Sequence, residues 1–283
     1  MVDVVPVRYR PPDDDYRLDV ELVGAAELRA RVASDPNRGV ERIDFQCFIY
    51  VHSGSYTHVV DFETHELVAR SCLMISPGQV HRFGPPSDWV GWMLIVDGHL
   101  ISDDTRGLPA HVRLDQEGAG AVCELLERME ADARSSVDRQ PLMQLLLLQT
   151  AVLIGRLALG DNAASARRLV DPTLLARYRD YCAAVDIGYR DGHLVAAYAR
   201  GLGCSTRSLN RACRAIADVS AKDVIVARVV LEAKRRLALA DDTVAAISRQ
   251  LGFDEATNFV KYFRRETGTT PTAFRASVHQ PDS

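Results

Sequence analysis

Length, composition and charge narrow the class of protein before any motif is considered. The chain has 283 residues, of which 47% are hydrophobic and 25% charged, the profile of a soluble globular protein with room for two ordinary domains. This composition argues against a largely disordered chain. The net charge of −4 is unevenly divided: residues 171–283 carry 17 Lys+Arg against 13 Asp+Glu, a net +4, and residues 1–170 carry 17 against 25, a net −8. The basic C-terminal third is therefore where a nucleic acid is expected to bind.

The cysteines and the apolar segments indicate the compartment. A chain of this size does not need disulfides to stabilise its core, and its cysteines form no C-x-x-C pair. We therefore expect reduced cysteines in a cytoplasmic protein, at Cys47, Cys72, Cys123, Cys182, Cys204 and Cys213. The N-terminus lacks the basic and apolar regions of a signal peptide. Residues 142–159 are apolar but include Gln144, Gln149 and Arg156, so they are interpreted as a buried helix of a soluble protein, and no membrane partner is expected.

Residues 42–96 alternate between short β-rich runs and turn residues. Serine, glycine and proline occur at 53–55 and at 76–78, where reversals of the chain are expected. Regularly spaced short strands of this kind are typical of a β-sandwich or a small barrel. The expected strands are residues 43–51, 56–62, 67–75, 80–83 and 90–96.

Two helices are expected between residues 116 and 160. In the first, apolar residues recur with helical spacing at Val122, Leu125, Leu126, Met129 and Ala133. The second spans residues 142–159 after Pro141 and is apolar on more than one face. One of its stripes is expected to pack on the β domain and another to meet a second subunit in a homodimer. The alternative is that the whole helix belongs to the intrachain core.

A helix-turn-helix pattern occupies residues 193–216. A short helix over 193–202 is expected to end at Gly203, after which Ser205 caps a second helix running to about residue 216. On the second helix an inward apolar stripe leaves a basic and amide-bearing face outward, of the type that reads guanine and adenine edges in the major groove. The outward residues are Thr206, Arg207, Asn210, Arg211 and Arg214.

The same layout returns 49 residues later. A short helix over 244–251 is expected to end at Gly252, Asp254 is expected to cap the next helix, and Phe259 and Phe263 anchor it. The outward residues of this helix are Ala256, Thr257, Asn258 and Lys261. A connecting helix over 222–239 would span about 27 Å, a length suited to reading successive major-groove faces about 34 Å apart.

The second unit contains Gly252-Phe253, Phe259, Phe263-Arg264-Arg265, Gly268-x-x-Pro271 and Phe274-Arg275. With these residues the C-terminal segment resembles the DNA-binding domain of the AraC/XylS (arabinose-regulator) family of bacterial regulators. The connector agrees through Arg228, Ala233 and Leu237, and the first unit through Ala199, Leu202, Ser205, Leu209 and Arg211. The first unit departs from the family, with Cys213 and Asp218 where Phe and Gly are usual, although Asp tolerates the left-handed backbone that ends a helix. Ser248 and Asn258 replace a usual Ala and Tyr.

The resemblance implies roles for the outward residues. Its base-reading positions fall on Arg207, Asn210 and Arg211 in the first unit and on Ala256, Thr257, Asn258 and Lys261 in the second, so the first unit is expected to be the stronger reader. Residues expected to contact phosphates, which position the protein without carrying sequence information, are Arg214, Arg264 and Arg265.

The β segment resembles the cupin-like, effector-binding domain of the same family. The match is carried by Gly54, by His58-x-Val60-Asp61-Phe62 and by Pro77-Gly78-Gln79-Val80-His81. It implies a small effector bound inside the barrel. The candidate effector-binding residues are Tyr50, His52, Tyr56, His81, Phe83 and Trp92.

A cupin-type enzyme, or a binding module with an attached DNA-binding tail, is the alternative function. Metal-dependent cupins hold iron or manganese with an H-x-H pair followed by Glu. No such pair exists among His52, His58, His65 and His81, and Glu63 and Glu66 fall in an expected turn. We therefore predict no catalytic residue, no metal and no cofactor.

The patterns together predict an α+β protein in which an all-β cupin-like barrel with a helical hairpin precedes an all-α double helix-turn-helix domain. The expected parts are a cupin-like domain at 1–115, a dimerising hairpin at 116–160, a linker at 161–170 and a DNA-binding domain at 171–283. The predicted function is sequence-specific transcriptional regulation controlled by a small-molecule effector. The expected partners are double-stranded DNA, the effector, a second copy of the chain and, for an activator, RNA polymerase.

Overall fold

A computed structural model describes residues 5–7, 20–34, 39–101, 110–134, 139–160, 171–239 and 242–279. The chain divides into two compact units between residues 165 and 166. All the described strands belong to the first unit, and the described part of the second contains only helices. The predicted α+β fold class is confirmed. The expected linker at 161–170 lies outside the described residues.

The first unit is built around one long strand. Its strands in the described residues are β1 Val5–Val7, β2 Val20–Gly24, β3 Glu41–Ile43, β4 Gln46–Val60, β5 Glu63–Val68, β6 Ser71–Ile75, β7 Val80–Phe83, β8 Trp89–Val96 and β9 His111–Arg113. The first half of β4 pairs with β6 and β8, and its second half pairs with β5 and β7. Strand β4 therefore belongs to two sheets and joins them.

The change of sheet occurs inside β4. The pairing register with β8 shifts between Val51 and Ser53, and Gly54 has φ +81, where an added Cβ would lie 2.5 Å from the carbonyl oxygen of Asp88. Such a bulge bends a strand and keeps its pairing on both sides. The expected turn at 53–55 is therefore wrong, because the bend is made within a continuous strand.

Two further boundaries differ from the sequence prediction. Residues 67–75 form two strands, because Arg70 has φ +70 and its backbone N–H donates to the Val51 carbonyl at 2.7 Å, which reverses the chain between β5 and β6. The other reversal follows β4 at Asp61 and Phe62, both with positive φ. Glu63 and Glu66 consequently lie on β5 and not in a turn.

Strand alternation divides the core of this unit into two layers. One layer fills the space between the sheets with side chains such as Ile49, Leu73 and Trp89. The other face of the sheet containing β8 is covered by helices and includes Trp92 and Leu94. The helices of the unit are α1 Ala25–Ala33, α2 Gly98–Ile101, α3 Gln116–Ala133 and α4 Arg139–Gly160.

The helical hairpin of α3 and α4 is confirmed. Asp115 caps α3 by accepting from the Gly118 N–H at 2.8 Å, and α4 buries a stripe that includes Leu146 and Leu153 against the sheet and α3. A second stripe is exposed, with Leu145, Leu148 and Val152 at 41%, 67% and 49%. Within the first unit, the described part of α4 therefore buries one face and leaves another uncovered.

Helix α4 is long and apolar enough to cross a membrane by length and composition. The core helix of a soluble protein meets the same criterion, and 39% of the apolar window Pro141–Ala158 is buried. Its buried polar residues are also bonded: Gln149 donates to Asp132 Oδ2 at 2.7 Å and Thr150 to the Leu146 carbonyl at 2.8 Å. These contacts fit a helix folded against protein.

The second unit is a single helical body. Its helices are α5 Pro172–Gly188, α6 Val195–Gly201, α7 Thr206–Ala217, α8 Ala221–Leu239, α9 Val244–Gln250, α10 Ala256–Thr267 and α11 Pro271–His279. They share one apolar cluster, in which Leu209, Ile225 and Phe259 are fully buried. Helix α8 contributes to this cluster along its whole length, from Ala221 to Leu237, so it is the axis on which the other helices pack.

Candidate nucleic-acid interface

Two helix pairs repeat one local design. Helices α6 and α9 have seven residues each, and α7 and α10 have twelve each. The first helices of the pairs begin 49 residues apart, as predicted, whereas α7 and α10 begin 50 residues apart. The difference is one extra residue in the second turn, between Gly252 and the start of α10. This register aligns Arg211 with Lys261 and Arg214 with Arg264.

Helix α7 has the caps that its sequence predicts. The Ser205 hydroxyl accepts from the Ser208 N–H at 3.1 Å, and Asp218 ends the helix in the left-handed region with φ 54 and ψ 27. Leu209 and Cys213 are fully buried. The opposite face therefore points to solvent, and its exposed residues include Thr206, Arg207, Arg211 and Arg214.

Asn210 differs from the other predicted base-reading residues of α7, because it is half-buried and its amide is bonded within the unit. The Asn210 Oδ1 accepts from the Ala221 N–H at 3.0 Å, and its Nδ2 donates to the Thr206 carbonyl at 3.1 Å. These bonds hold α7 against the start of α8. They give Asn210 a structural role, and its role as an adenine reader stays a prediction.

The start of α5 supports the same helix, a feature that sequence reasoning missed. Arg177 on α5 donates to the Ser208 hydroxyl at 2.7 Å. The pKa of Asp171, which caps α5, is lowered first by hydrogen bonds from Thr173 and also by the nearby charge of Arg211. Helix α5 therefore positions α7 and its arginine face.

Arg214, predicted to contact phosphate, also contacts the protein. Its guanidinium donates to the Asp218 carbonyl at 3.3 Å, where a cation offsets the partial negative charge of a helix C-terminus. The side chain is exposed, so the remaining donors of its guanidinium face solvent.

Helix α10 has no arginine among its predicted base-reading residues. Thr257, Asn258 and Lys261 are exposed, Ala256 is half-buried, and Phe259 and Phe263 are fully buried as anchors. The N-cap is Glu255, and its side chain makes no capping hydrogen bond. The expectation that Asp254 caps this helix is wrong, because the extra residue of the turn moves the cap one position along.

The predicted phosphate-binding arginines of α10 differ in their surroundings. Arg264 is exposed. Arg265 is 67% exposed, but it pairs with Glu266 at 2.6 Å and its guanidinium lies 5.2 Å from the centroid of the Tyr262 ring. Arg264 is therefore the better placed of the two for a phosphate.

Several of the remaining basic side chains make contacts inside the unit. Glu232, almost fully buried, lies within 4 Å of three arginines of its own helix α8, at 3.3, 3.8 and 3.0 Å. Those arginines are Arg228, Arg235 and Arg236. Arg275 donates to the backbone carbonyls of Leu237 and Asp242. The connecting helix thus uses several cations for contacts within the unit, whereas Arg207, Arg211 and Lys261 are exposed on the outward faces of α7 and α10.

The candidate effector-binding residues of the first unit lie in two places, one beside helix α3 and one between the two sheets. Tyr50 donates to the Ala119 carbonyl at 3.2 Å, and Trp92 donates to Glu130 Oε2 at 3.0 Å, both on the α3 side. The exposed His52 lies with its ring 6.4 Å from that of Trp92. Tyr56, in contrast, lies between the sheets. The bulge after Val51 adds one residue and so exchanges the inward and outward positions of the strand.

The structure thus divides the predicted set into two groups. Tyr50, His52 and Trp92 lie together on the helix-covered face, and Tyr56, His81 and Phe83 lie together between the sheets. Their shared neighbour is His58, which the candidate set omitted although its sequence motif was noted.

Between the sheets, four polar side chains form a row. Tyr56 Oη lies 3.0 Å from His58 Nδ1, and His58 Nε2 lies 3.0 Å from His81 Nδ1. His81 Nε2 lies 3.5 Å from Glu41 Oε2. All four residues are buried. Donation in one direction, from the tyrosine hydroxyl through two neutral imidazoles to the carboxylate, satisfies every one of these contacts.

The chemistry of the other candidate groups is limited. Within the described residues, no group of three or more His, Cys, Asp or Glu side chains is arranged to hold a metal ion. The cysteines are free thiols, and burial raises the pKa of Cys72 to about 12 and that of Cys213 to about 11. Thiols with such pKa values are poor nucleophiles, which fits packing residues.

Comparison with known proteins agrees with both units. Residues 27–149 match the family model of an AraC-like ligand binding domain, and residues 198–277 match that of a helix-turn-helix domain. Together the matches span 203 of the 283 residues. The arabinose operon regulatory protein of Salmonella typhimurium (strain LT2) is 22% identical over 214 residues, which are 72% of this chain and 74% of that protein.

Similar solved structures include two regulators. ToxT from Vibrio cholerae is 11% identical, with a TM-score of 0.41 over 84% of this chain and 92% of its own. An AraC-type transcriptional regulator from Chromobacterium violaceum is 17% identical, with a TM-score of 0.36 over 40% of this chain and 100% of its own. Scores below 0.5 carry no part of the assignment, which rests on the family models and the arabinose regulator. The chain belongs to the AraC/XylS family of DNA-binding transcriptional regulators.

Proposed function

We propose that α7 and α10 are the recognition helices of this regulator and that α7 supplies most of its sequence specificity. The observation that carries the proposal is the exposed arginine pair Arg207 and Arg211 on α7, set against Thr257 and Lys261 at the matching positions of α10. A bidentate arginine contact to guanine is worth about 1–3 kcal/mol of discrimination, and a threonine distinguishes bases less sharply. Helix α10 is proposed to add affinity through Lys261 and Arg264.

The DNA-binding proposal is tested with the full chain and its own upstream DNA. Saturable binding is expected to weaken steeply with salt, because phosphate contacts release counterions. Replacing Arg207 by Ala is expected to narrow the difference in affinity between this DNA and a scrambled duplex. Affinities that do not change with salt, or that are equal for the two duplexes in the wild type, contradict the proposal.

The effector is proposed to bind between the two sheets, at the buried row of Tyr56, His58, His81 and Glu41. A few converging polar groups in an apolar interior are typical of sites that orient a small ligand. A compound that binds there raises the melting temperature of the chain by mass action. In a screen of small molecules, a true effector is expected to stabilise the wild type and the control variant His52→Gln, but not His81→Gln. A compound that stabilises all three equally does not use the row.

A homodimer is proposed to form through the exposed stripe of α4. Leu145, Leu148 and Val152 recur with helical spacing on one face, and a second copy would cover them. Sedimentation of the full chain is expected to show a dimer that Leu148→Glu dissociates. The matched control is Val90→Glu, which adds the same charge at an exposed valine of β8. A monomeric wild type, or equal effects of both variants, contradicts the dimer.

The cellular setting follows from these roles. A regulator of this kind is proposed to act in the cytoplasm, as the family's soluble DNA-binding proteins do. If it activates transcription, RNA polymerase is a further partner. Mapping its bound sites across the genome, with transcript levels in a deletion strain, gives the sign of regulation.

A further inference from the structure

The segment that joins α5 to α6 contacts the second helix-turn-helix unit directly. His193, two residues before α6, lies with its Nε2 3.1 Å from the Leu251 carbonyl oxygen in the turn between α9 and α10. Its ring centroid lies 4.8 Å from that of Phe253, in the same turn, and 6.2 Å from that of Tyr262 on α10. The side chain of His193, which precedes the first helix-turn-helix pair, therefore contacts both the turn and the recognition helix of the second helix-turn-helix pair.

Two more contacts hold the same junction. Lys222, at the start of α8, donates from Nζ to the His193 carbonyl at 2.6 Å. The backbone of Gly252 approaches that of Arg190 so closely that an added Cβ would lie 2.2 Å from the Arg190 carbonyl oxygen. The junction thus joins three elements: the α5–α6 segment, the connecting helix and the second turn.

The imidazole acts here as a hydrogen-bond donor. Burial lowers the pKa of His193, assisted by the charge of Lys222, while its hydrogen bonds to backbone carbonyls act in the opposite direction. A carbonyl oxygen can only accept a hydrogen bond, so the 3.1 Å contact requires a proton on Nε2, facing Leu251. The ring faces also pack on aromatic side chains, so the residue combines a directional bond with apolar contact.

This junction has a consequence for DNA reading. Two recognition helices joined only through α8 could change their mutual angle by bending at its ends. The contacts of His193, Lys222 and Gly252, which we call the clasp, join the second turn to the segment before α6 and restrict that bending. Adding one base pair moves two half-sites apart by about 3.4 Å and rotates one about the duplex axis by roughly one tenth of a turn.

We infer that His193 is a positioning residue that holds α7 and α10 at one mutual spacing, so that the operator tolerates no change in the distance between the two sequences these helices read. The chemistry of recognition remains with the outward side chains of α7 and α10. His193 limits which arrangements of half-sites they can reach together.

The test compares spacing tolerance among variants of the full chain. A preferred duplex is first selected from a random pool with the wild type, and versions with one base pair inserted or deleted between its two conserved parts are then made. For the wild type, the altered spacings are expected to lower affinity by about 100-fold, the loss of roughly 2.7 kcal/mol. For His193→Ala, the same change is expected to cost less than about tenfold.

Matched variants separate the clasp from general loss of structure. His193→Gln keeps a donor near the position of Nε2 and is expected to retain the wild-type spacing penalty. His193→Phe keeps a ring without a donor and is expected to lose most of it. Asp191→Ala, an exposed change in the same segment, is the control and is expected to behave as wild type.

The outcomes are distinct. A wild type that accepts altered spacing overturns the inference, as does an undiminished penalty in folded His193→Ala. If His193→Ala fails to fold, the Gln and Phe variants decide, and equal penalties in both overturn it. Failure of sequence-specific binding itself is separate, because then no preferred duplex is selected from the pool.

Discussion

The side-chain oxygen of Asn210 on α7 accepts a hydrogen bond from the backbone N–H of Ala221 at 3.0 Å, which ties α7 to the start of the connecting helix α8. The first N–H groups of a helix have no intrahelical partner, so this side chain satisfies a donor of α8. The sequence predicts that Asn210 reads DNA, but in the structure its side-chain amide is hydrogen-bonded within the protein.

Asn210→Ala is expected to lower the free energy of unfolding by about 1–3 kcal/mol, because it leaves a partly buried N–H without its partner. DNA affinity is expected to fall to a similar extent for preferred and scrambled duplexes. Denaturant unfolding and binding to both duplexes measure the two effects. Arg207→Ala is the control, an exposed change expected to alter stability by less than about 0.5 kcal/mol. Loss of preference at a single base pair, with unchanged stability, would show that Asn210 reads a base.

Arg211 and Arg264 are expected to differ in the kind of binding they supply. Arg211→Ala is expected to cost about 1–3 kcal/mol at one base pair and to relax preference there. Arg264→Ala is expected to weaken binding to all sequences. It is also expected to reduce the slope of log affinity against log salt concentration by about 1, the loss of one phosphate contact. Titrations against the preferred duplex, its single-base variants and scrambled DNA distinguish the two. Equal losses on preferred and scrambled DNA for Arg211→Ala contradict its assignment.

Gly203 and Gly252 end the first helices of the two units and allow a matched comparison. Both have positive φ, +62 and +79, but an added Cβ at Gly203 meets nothing within 4 Å, whereas at Gly252 it meets backbone at 2.2 Å. Gly203→Ala is expected to cost about 1–2 kcal/mol from the left-handed backbone alone. Gly252→Ala is expected to cost more than about 4 kcal/mol, a value reached only by severe disruption. Thermal unfolding of both variants checks this, and similar costs would show that the two turns are not held differently.

Glu255 occupies the N-cap of α10 without capping it. Glu255→Asp keeps the charge and shortens the side chain to one that caps well, so stability is expected to rise by about 0.5–1 kcal/mol. Ser205→Ala, at the matching cap of α7, is expected to cost about 1 kcal/mol. Both are measured by denaturant unfolding. A Glu255→Asp variant no more stable than the wild type would show that the cap geometry of the second unit excludes a side-chain bond.

The second unit could be predicted closely from sequence because its signals are local. Ser205 and Gly203 mark helix ends by their own chemistry, and the spacing of Leu209, Phe259 and Phe263 gives the buried faces directly. The left-handed backbone at Asp218 agrees with the tolerance of Asp for that conformation. One error, the cap of α10, came from a single extra residue in a turn.

The first unit shows where sequence patterns fail. The bulge in β4 depends on pairing with a distant strand, and it exchanges the two faces of the strand between Tyr50 and Tyr56. Residues six apart in a strand share a face by alternation alone, so sequence alternation alone cannot show that Tyr50 and Tyr56 lie on different faces. The row from Tyr56 to Glu41 is likewise formed by residues of three strands. No local segment of the sequence predicts the register in which those strands pair.

The central proposal is that α7 and α10 contact DNA at one fixed spacing and that α7 contributes more sequence specificity than α10. Selection of bound duplexes from a random pool, with the full-length chain, tests this in one measurement. The predicted result is a motif of two parts at one spacing, strongly specified where α7 reads and weakly where α10 reads, with only the strong part relaxed by Arg207→Ala or Arg211→Ala. No enriched motif, or a motif unchanged by both substitutions, would contradict it.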